Sequence, residues 1–442
     1  MDLRATDTAT ELLHPGDEGY DAAAGVMCGH GAPALVARPR NPEEVAAALE
    51  HAVRHDLEVS VRSGGHSLLG HSTNSGGIVV DLGHLDTVEV LDEARRLVRI
   101  GGGATWGAVA AALAPHGWVV TSGDTASVGV GGLTLGGGIG WLVRKHGLAI
   151  DQLVGARVVT ADGRLVPASA TENEALFWAL RGGGGNFGVV VDLDFVAQPA
   201  RTVRFGSIDY CTDDIAGLLA RWRDAMRAAP DEVSSTLVVP PTAPGLQSTA
   251  TVLVCHAPDP DNGDDDPVFP LLDLGPVADW SISERAYADI LEPAPPHPPG
   301  IRPHVRNTLV RALDDRVIAA IDRFRAGPAP TMVAVRSLGG AVARVPADAT
   351  AFAHRDAEAM VVGAVVLPMA APAEQVDRAL APWDAVAAHG VGAYVGFQGA
   401  DGPDDVAAVY PRATRLRLAT VKRAYDPDNL FRSNHNIAPL GR

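Results

Sequence analysis

Cysteine is scarce in this chain. Cys28, Cys211 and Cys255 are the only three in 442 residues, odd in number and far apart, which excludes a disulfide framework and a CxxC zinc or redox site and fits a reducing compartment. Basic charge is also short: 36 Lys and Arg face 53 Asp and Glu, a formal net charge of -17. So acidic a chain repels nucleic-acid phosphates and anionic lipid at long range, and neither is expected as a partner. No stretch approaches 18 uncharged apolar residues, and the start, MDLRATDTATELLHPGDEGYD, has neither an apolar signal core nor twin arginines. The expectation is a soluble, cytoplasmic protein. No metal is expected either: His51 and His55 lie four apart on a helix but lack a third ligand nearby.

Familiar catalytic signatures are missing too. There is no HExxH and no GxSxG. Gly183, Gly185 and Gly188 spell GxGxxG, but they leave a helix and enter a strand, the reverse of a dinucleotide fingerprint. Gly131–Gly136 has P-loop spacing, yet Gly137-Gly138 follows where Lys-Ser/Thr is needed.

What the chain does have is glycine, 48 residues gathered in a few places. In Val59–Ser72, VSVRSGGHSLLGHS, a β-branched run stops at Arg62-Ser63-Gly64-Gly65 and delivers His66. Paired glycines let successive backbone N–H groups converge on an anion without side chains in the way. Taken alone, the pair also reads as a turn, and His66 as a hydrogen-bonded structural histidine. Gly129–Gly140, GVGGLTLGGGIG, holds seven glycines in twelve residues. That density would cost several kcal/mol in a regular helix, so something must compensate, and close approach of the backbone to a ligand is the usual reason. A third cluster, Gly182–Gly188, precedes the apolar strand Val189–Phe195.

The elements around these clusters can be read in order. Asn41-Pro42-Glu43-Glu44 starts a helix with Val45, Leu49 and Val53 on its buried face. Strands follow at 58–62, 77–82, 87–91 and 97–100, giving one α+β unit, and a second unit begins at Gly101. It contains a helix at 106–114, a hairpin about Asp162-Gly163 and a helix at 172–180. Near Pro199 the glycine clusters end. Strands at 204–210, 235–239 and 249–255, helices at 215–228 and 313–326, and a proline-rich connector at 293–303 suggest a separate sheet-and-helix lobe, suited to a substrate pocket. The end, Thr414–Ile437, reads as a basic amphipathic helix broken at Asp426-Pro427, then a polar tail with Asn429, Asn434 and Asn436.

A ligand with a pyrophosphate and a long planar body, such as flavin adenine dinucleotide (FAD), would account for all three clusters. The segments RSGGHS (62–67), GIVVDL (77–82), 129–140, LFWALRGGGGNFG (176–188) and VKRAYDPDNLFRSNHNI (421–437) together resemble the FAD-linked oxidases of the vanillyl-alcohol oxidase and p-cresol methylhydroxylase superfamily. Within it they are most similar to the berberine bridge enzyme group and the bacterial 6-hydroxy-D-nicotine oxidases. The matches keep their order and span about residues 30–200 and 405–440.

The resemblance implies an α+β fold: a two-subdomain FAD-binding lobe of the p-cresol methylhydroxylase type over 1–199, divided at about 100/101. An antiparallel-sheet substrate domain covered by helices would fill 200–404, and residues 405–442 would return to the FAD-binding lobe. It implies FAD linked once, through the 8α-methyl group, to His66. Arg62, Ser63, Gly64, Gly65, Ser67, Gly70 and His71 would bind the cofactor from the first loop. Ser127, Val128, Gly131, Gly132, Gly137, Gly138 and Gly140 would do so from the second, Val189 from the strand after the third, and Asn434 and Asn436 from the tail.

Two departures from the family pattern stand out. Thr125 occupies the place of a second, flavin-linking cysteine found in many relatives, which argues against an oligosaccharide oxidase. The Asn-Tyr pair whose tyrosine is the usual base falls on Thr414 and Arg415, leaving Tyr394, Tyr410 and Gln398 as catalytic candidates, or no base at all. The implied reaction is oxidation of a C–H bond beside a hydroxyl or amine in a small molecule, in secondary metabolism, with hydride passing to flavin N5 and electrons to dioxygen. A flavin-dependent cyclase without net oxidation and a non-catalytic flavin-binding protein are the alternatives, and a monomer or homodimer is expected.

Overall fold

The computed structural model describes residues 10–29, 31–200, 202–242, 245–259, 266–293 and 300–441. The middle of the proline-rich connector and the first nine residues lie outside the described residues.

Three sheets organise the chain. The first is four-stranded, in the order Glu11–Leu13, Leu35–Arg38, Ile78–Asp81, Val59–Arg62, with the last three parallel. Helix Pro42–Arg54 makes the crossover. Its Asn41 cap accepts the Glu44 N–H at 2.9 Å, and Val45, Ala48, Leu49 and Ala52 form the buried face. Val53, placed on that face by its spacing, is 61% exposed; small alanines take its share of the interface instead.

The second sheet is antiparallel: Val88–Asp92, Leu97–Gly101, Val189–Val196, Leu153–Val159, Leu165–Ser169. This corrects the division at 100/101. The strands at 88–92 and 97–101 belong with the later strands, because Leu97–Gly101 pairs with Val189–Val196 and not with the preceding parallel strand. Chain order groups these strands with the first unit, but their hydrogen bonds run to a partner about ninety residues away.

The third sheet has seven antiparallel strands: Val277–Ala286, Thr202–Cys211, Thr249–His256, Val233–Val239, Thr331–Ser337, Ala359–Pro368, Ile301–Val310. Helices Ile215–Ala228 and Asp315–Arg325 cover one face, burying Leu218, Trp222, Ile321 and Phe324 against Val252, Val254, Val333 and Val335. The opposite face carries Phe205, Leu309, Met360 and Val362, which pack with Trp141, Val143 and Leu148 from the glycine-rich segment. The fold class is therefore the α+β arrangement expected.

Two local features go beyond the sequence reading. Val130–Gly136 is an α-helix despite its glycine density. Tertiary packing overrides propensity here: a Cβ on Gly131 would come within 2.8 Å of Gly102 O, and one on Gly136 within 2.7 Å of Val395. Gly137 (φ 129°) and Gly138 (φ 83°) then turn the chain out of it.

The C-terminal helix, Arg412–Tyr425, is basic and amphipathic, and one of its basic residues faces inward. Lys422 is fully buried, and its Nζ donates to Asp426 at 2.6 Å and to the carbonyls of Asn186 and Phe431 at 2.8 Å. Asp426 in turn accepts the N–H groups of Leu430 and Phe431 at 2.8 and 2.9 Å. This knot turns the chain and sends 430–437 back across the first two sheets.

Candidate active site

A cavity of about 560 Å³ lies where the three sheets converge. Val59 and Val61 of the first sheet, Val190 of the second and Phe431 of the tail give it one apolar wall; Val305, Met332 and Ala364 of the third sheet give another. Two glycine turns meet at its edge. A Cβ on Gly64 would collide with the backbone nitrogen of Gly129, so this approach admits no side chain. Ser63 Oγ donates to Gly102 O at 2.7 Å and ties the first turn to the second sheet.

His66 sits on the cavity wall, sharing a 3.0 Å hydrogen bond between its Nε2 and Ser127 Oγ. Ser67 Oγ accepts the N–H groups of Leu69 and His71 at 3.3 and 3.2 Å, shaping the turn after it. His71 Nε2 meets Asp401 at 3.0 Å, and the His71 ring lies edge-on to His435, 5.4 Å between centroids. Burial, then the nearby His71, lower the His435 pKa to about 4.

The tail closes the cavity. Ser433 Oγ donates to His71 O at 3.2 Å, Asn434 Nδ2 donates to Gly185 O at 3.3 Å, and Asn186 Oδ1 accepts the Ile437 N–H at 2.9 Å. Asn434 Oδ1 is buried without a hydrogen-bond partner among the described residues.

The candidate catalytic groups differ sharply. Tyr394 Oη accepts the Gly138 N–H at 3.2 Å, and burial pushes its pKa up to about 12. Tyr410 is 1% exposed and lines the cavity; its hydroxyl has no partner among the described residues, and burial raises its pKa as well. Gln398 is committed to the scaffold, donating to Asp405 at 2.7 Å and accepting from Asn307 at 3.3 Å. On the cavity wall, Asp124 is neutralised by the largely buried Arg336 from the third sheet.

Of the residues singled out from sequence, Ser63, Gly64, Gly65, His66, Ser67 and His71 line the cavity from the first loop, Val128, Gly131 and Gly132 from the second, and Asn434 from the tail. Tyr394, Gln398 and Tyr410 join them. Ser127 reaches it through His66. Arg62 points away, binding the carbonyls of Ala22 and Ala23. Gly70 backs onto Cys28 O, and Gly140 onto Ser122 O. Gly137 and Gly138 shape the turn next to Tyr394, while the Asn436 amide oxygen is buried without a partner among the described residues and off the cavity wall. Val189 faces the core of the first sheet, and its neighbours Gly188 and Val190 face the cavity, as strand alternation requires. Thr125 lines the cavity, its hydroxyl donating to Asp124 at 3.1 Å, whereas Thr414 and Arg415 sit in the first turn of the C-terminal helix and off the wall.

Sequence reasoning missed Asp124, Gly184, Asn186, Ser433 and His435, and the apolar wall of Pro303, Val305, Met332 and Ala364. The third glycine cluster was a usable signal for Gly184 and Asn186. The wall had none, since apolar strand residues read alike whichever face they occupy.

The residues fit FAD. Gly132 and Gly185 line the cavity with open space where a Cβ would stand, leaving room for a pyrophosphate; the apolar walls suit flat rings, and Tyr410 Oη and Asn434 Oδ1, without a partner among the described residues, are buried polar atoms that a ligand could satisfy.

Fold and cavity together define an FAD-dependent oxidoreductase. Residues 33–169 match the FAD binding domain family, and 393–438 match the berberine and berberine-like family. (R)-6-hydroxynicotine oxidase of Paenarthrobacter nicotinovorans is 33% identical over 456 residues, spanning 98% of this chain and 97% of that protein. A crystal structure of 6-hydroxy-D-nicotine oxidase from Arthrobacter nicotinovorans superposes with a TM-score of 0.87 at 31% identity, covering 98% of both chains. Chitooligosaccharide oxidase shares the fold, with a TM-score of 0.85 at 23% identity over 98% of both. The chain belongs to the berberine bridge enzyme-like family of FAD-linked oxidases.

Proposed function

We propose that this protein is an oxidase of secondary metabolism that carries FAD on a single covalent link to His66 and oxidises a C–H bond beside an amine or hydroxyl in a small, uncharged, mostly apolar molecule. The reading rests above all on the cavity, in which His66 stands at the lip of a backbone-lined turn and faces an apolar wall from the third sheet. The 10–199 stretch and the tail after 404 would hold the cofactor, and 200–404 would shape the substrate side.

Bound there, FAD supplies a hydride acceptor that dioxygen reoxidises. Ser127 holds the His66 ring in place, and Thr125 has no sulfur with which to form a second link. Among the described residues the cavity wall carries no unpaired carboxylate, because Asp124 is matched by Arg336. A cationic substrate would therefore shed its charge on entering, and the free amine or alcohol is the form accommodated.

Burial keeps the phenols of Tyr394 and Tyr410 protonated at neutral pH, so neither is a ready base. Tyr410 instead orients a substrate or cofactor heteroatom through its unpaired hydroxyl, and Tyr394 supports the Gly138 turn. An amine entering as the free base needs no protein base. The same lack of a base also suits a cyclisation without net oxidation.

His66→Ala tests the link. The wild type should stay yellow after acid precipitation and carry a mass excess equal to FAD, while the variant should lose both; a variant that keeps bound colour after precipitation rules out the His66 assignment. Anaerobic bleaching of the flavin by neutral amines and alcohols, with peroxide on readmitting air, distinguishes the oxidase from the cyclase.

A further inference from the structure

The seven-stranded sheet ends differently on its two sides. At one edge, Ile301–Val310 is covered: Leu309 N donates to Gly392 O and Val391 N to Leu309 O, both at 2.8 Å, and Arg306 reaches Gly399 O at 3.2 Å. At the other edge, Val277–Ala286 bonds Thr202–Cys211 along one side and, among the described residues, pairs with nothing on the other. Eight of its ten residues are exposed, including Trp280 at 54% and Val277 at 37%. A ten-residue open edge is long, and such an edge is a template for another strand.

The side chains on this edge select one occupant. Asp279 and Arg285 lie on the same face of the strand, and neither has an ion-pair partner among the described residues. Arg285 Nε donates only to Ser283 Oγ at 3.1 Å, and Asp279 Oδ1 accepts the Trp280 N–H at 2.9 Å. Setting a second copy of the strand antiparallel to the first, with Ile282 opposite its own counterpart, places each Asp279 opposite the other copy's Arg285. On the other face the two Ile282 side chains meet, flanked by Trp280 and Glu284. A slip that puts Asp279 opposite Glu284 is disfavoured, since like charges directly opposite destabilise a pair. With Ile282 on the axis the edge is self-complementary in charge, as a two-fold interface must be.

We propose that the protein forms a homodimer by antiparallel pairing of Val277–Ala286 across a two-fold axis at Ile282, extending the third sheet through both subunits. The active-site cavity draws none of its wall from this strand, so the assembly leaves the site open.

The test uses the flavin-loaded protein and reads mass by light scattering across a concentration series. The wild type should be a dimer. Asp279→Arg and Arg285→Asp should each raise the dimer dissociation constant about tenfold or more, through two lost attractions and two new repulsions. An equimolar mixture of the two variants should restore a mixed dimer, because their charges are again opposite at both pairs. Amide exchange at 277–286 should slow as concentration rises. A wild type that stays monomeric, a dimer that both single variants leave unchanged, or a mixture that fails to recover while both variants keep the native flavin spectrum would overturn the proposal.

Discussion

Lys422→Met should unlock the C-terminal tail. Lys422 Nζ has all three protons committed, to Asp426 and to the carbonyls of Asn186 and Phe431, and both charged side chains are fully buried. The methionine keeps most of the volume but leaves the Asp426 carboxylate with only the Leu430 and Phe431 N–H groups, and two carbonyls with no donor from this side chain. Breaking one side of a buried pair costs about 3–5 kcal/mol, because the remaining charge is stranded. That cost falls on the segment that brings Phe431, Ser433, Asn434 and His435 to the cavity wall.

The expected result is faster amide exchange and proteolysis at 426–437, a lowered melting temperature and weaker retention of flavin in a His66→Ala background, where no covalent link masks release. The double variant Lys422→Met, Asp426→Asn removes both charges while keeping an amide acceptor for the Leu430 and Phe431 N–H groups, and should recover much of the loss. If the single variant melts with the wild type, or the double variant is less stable than the single, the pair is not what secures the tail.

Tyr410→Phe removes a buried hydroxyl that has no partner among the described residues, so stability should hold or rise by up to about 1 kcal/mol. Turnover per bound flavin should fall roughly 10–100-fold if that hydroxyl orients the reacting heteroatom, a loss of about 1–3 kcal/mol typical of one hydrogen bond; unchanged kcat/KM would remove it from the site. Gly64→Ala puts a methyl group against the Gly129 nitrogen, and purified protein should contain markedly less flavin by the ratio of visible to ultraviolet absorbance. Acid should loosen the tail through His435. Its folded pKa of about 4 lies below its ordinary 6.5, so between those values the unfolded chain binds the extra proton and stability falls as pH drops. The loss amounts to about 3 kcal/mol at one pH-unit-per-1.4 kcal/mol, and it is complete once pH passes below about 4. His435→Gln should flatten that part of a plot of melting temperature against pH.

Glycine made the cofactor side readable from sequence. Close approach leaves its mark as missing side chains: Gly64, Gly129 and Gly131 press against other backbone segments at the cavity edge, and Gly132 opens onto the cavity itself. The helix at 130–136 was hidden by the same residues, because propensity counts what a glycine costs locally and not what a side chain would cost against Gly102 or Val395. Sheet membership was hidden for a different reason. Nothing local to Leu97–Gly101 records that its partner is Val189–Val196, and pairing across that distance is settled only when the chain collapses. Charge misled in one place: Lys422 matches Arg423 in type and helix, yet one is sealed inside and the other partly exposed, and the deciding neighbour, Asn186, is far away in sequence.

The substrate side resists reading on chemical grounds, and the structure narrows it by what it withholds. Pro303, Val305, Met332 and Ala364 come from three adjacent strands and offer no polar atom to select a hydroxyl pattern. A sugar chain on such a wall would leave its hydroxyls unpaired, at a cost of about 1–3 kcal/mol each, so discrimination against saccharides needs no dedicated barrier. On the proposed reading, discrimination among apolar amines or alcohols would come from shape and from one or two heteroatom contacts, with Tyr410 as the proposed one. Since that phenol is held protonated by its surroundings, the proton on the reacting nitrogen or oxygen has to be lost to water before entry or retained until the product leaves. Catalysis should therefore rise with pH through the pKa of an amine substrate itself, so that a series of amines of graded basicity would shift the kcat/KM profile in step. A profile that stays put as the substrate pKa changes would assign the titration to the protein and reopen the search for a base.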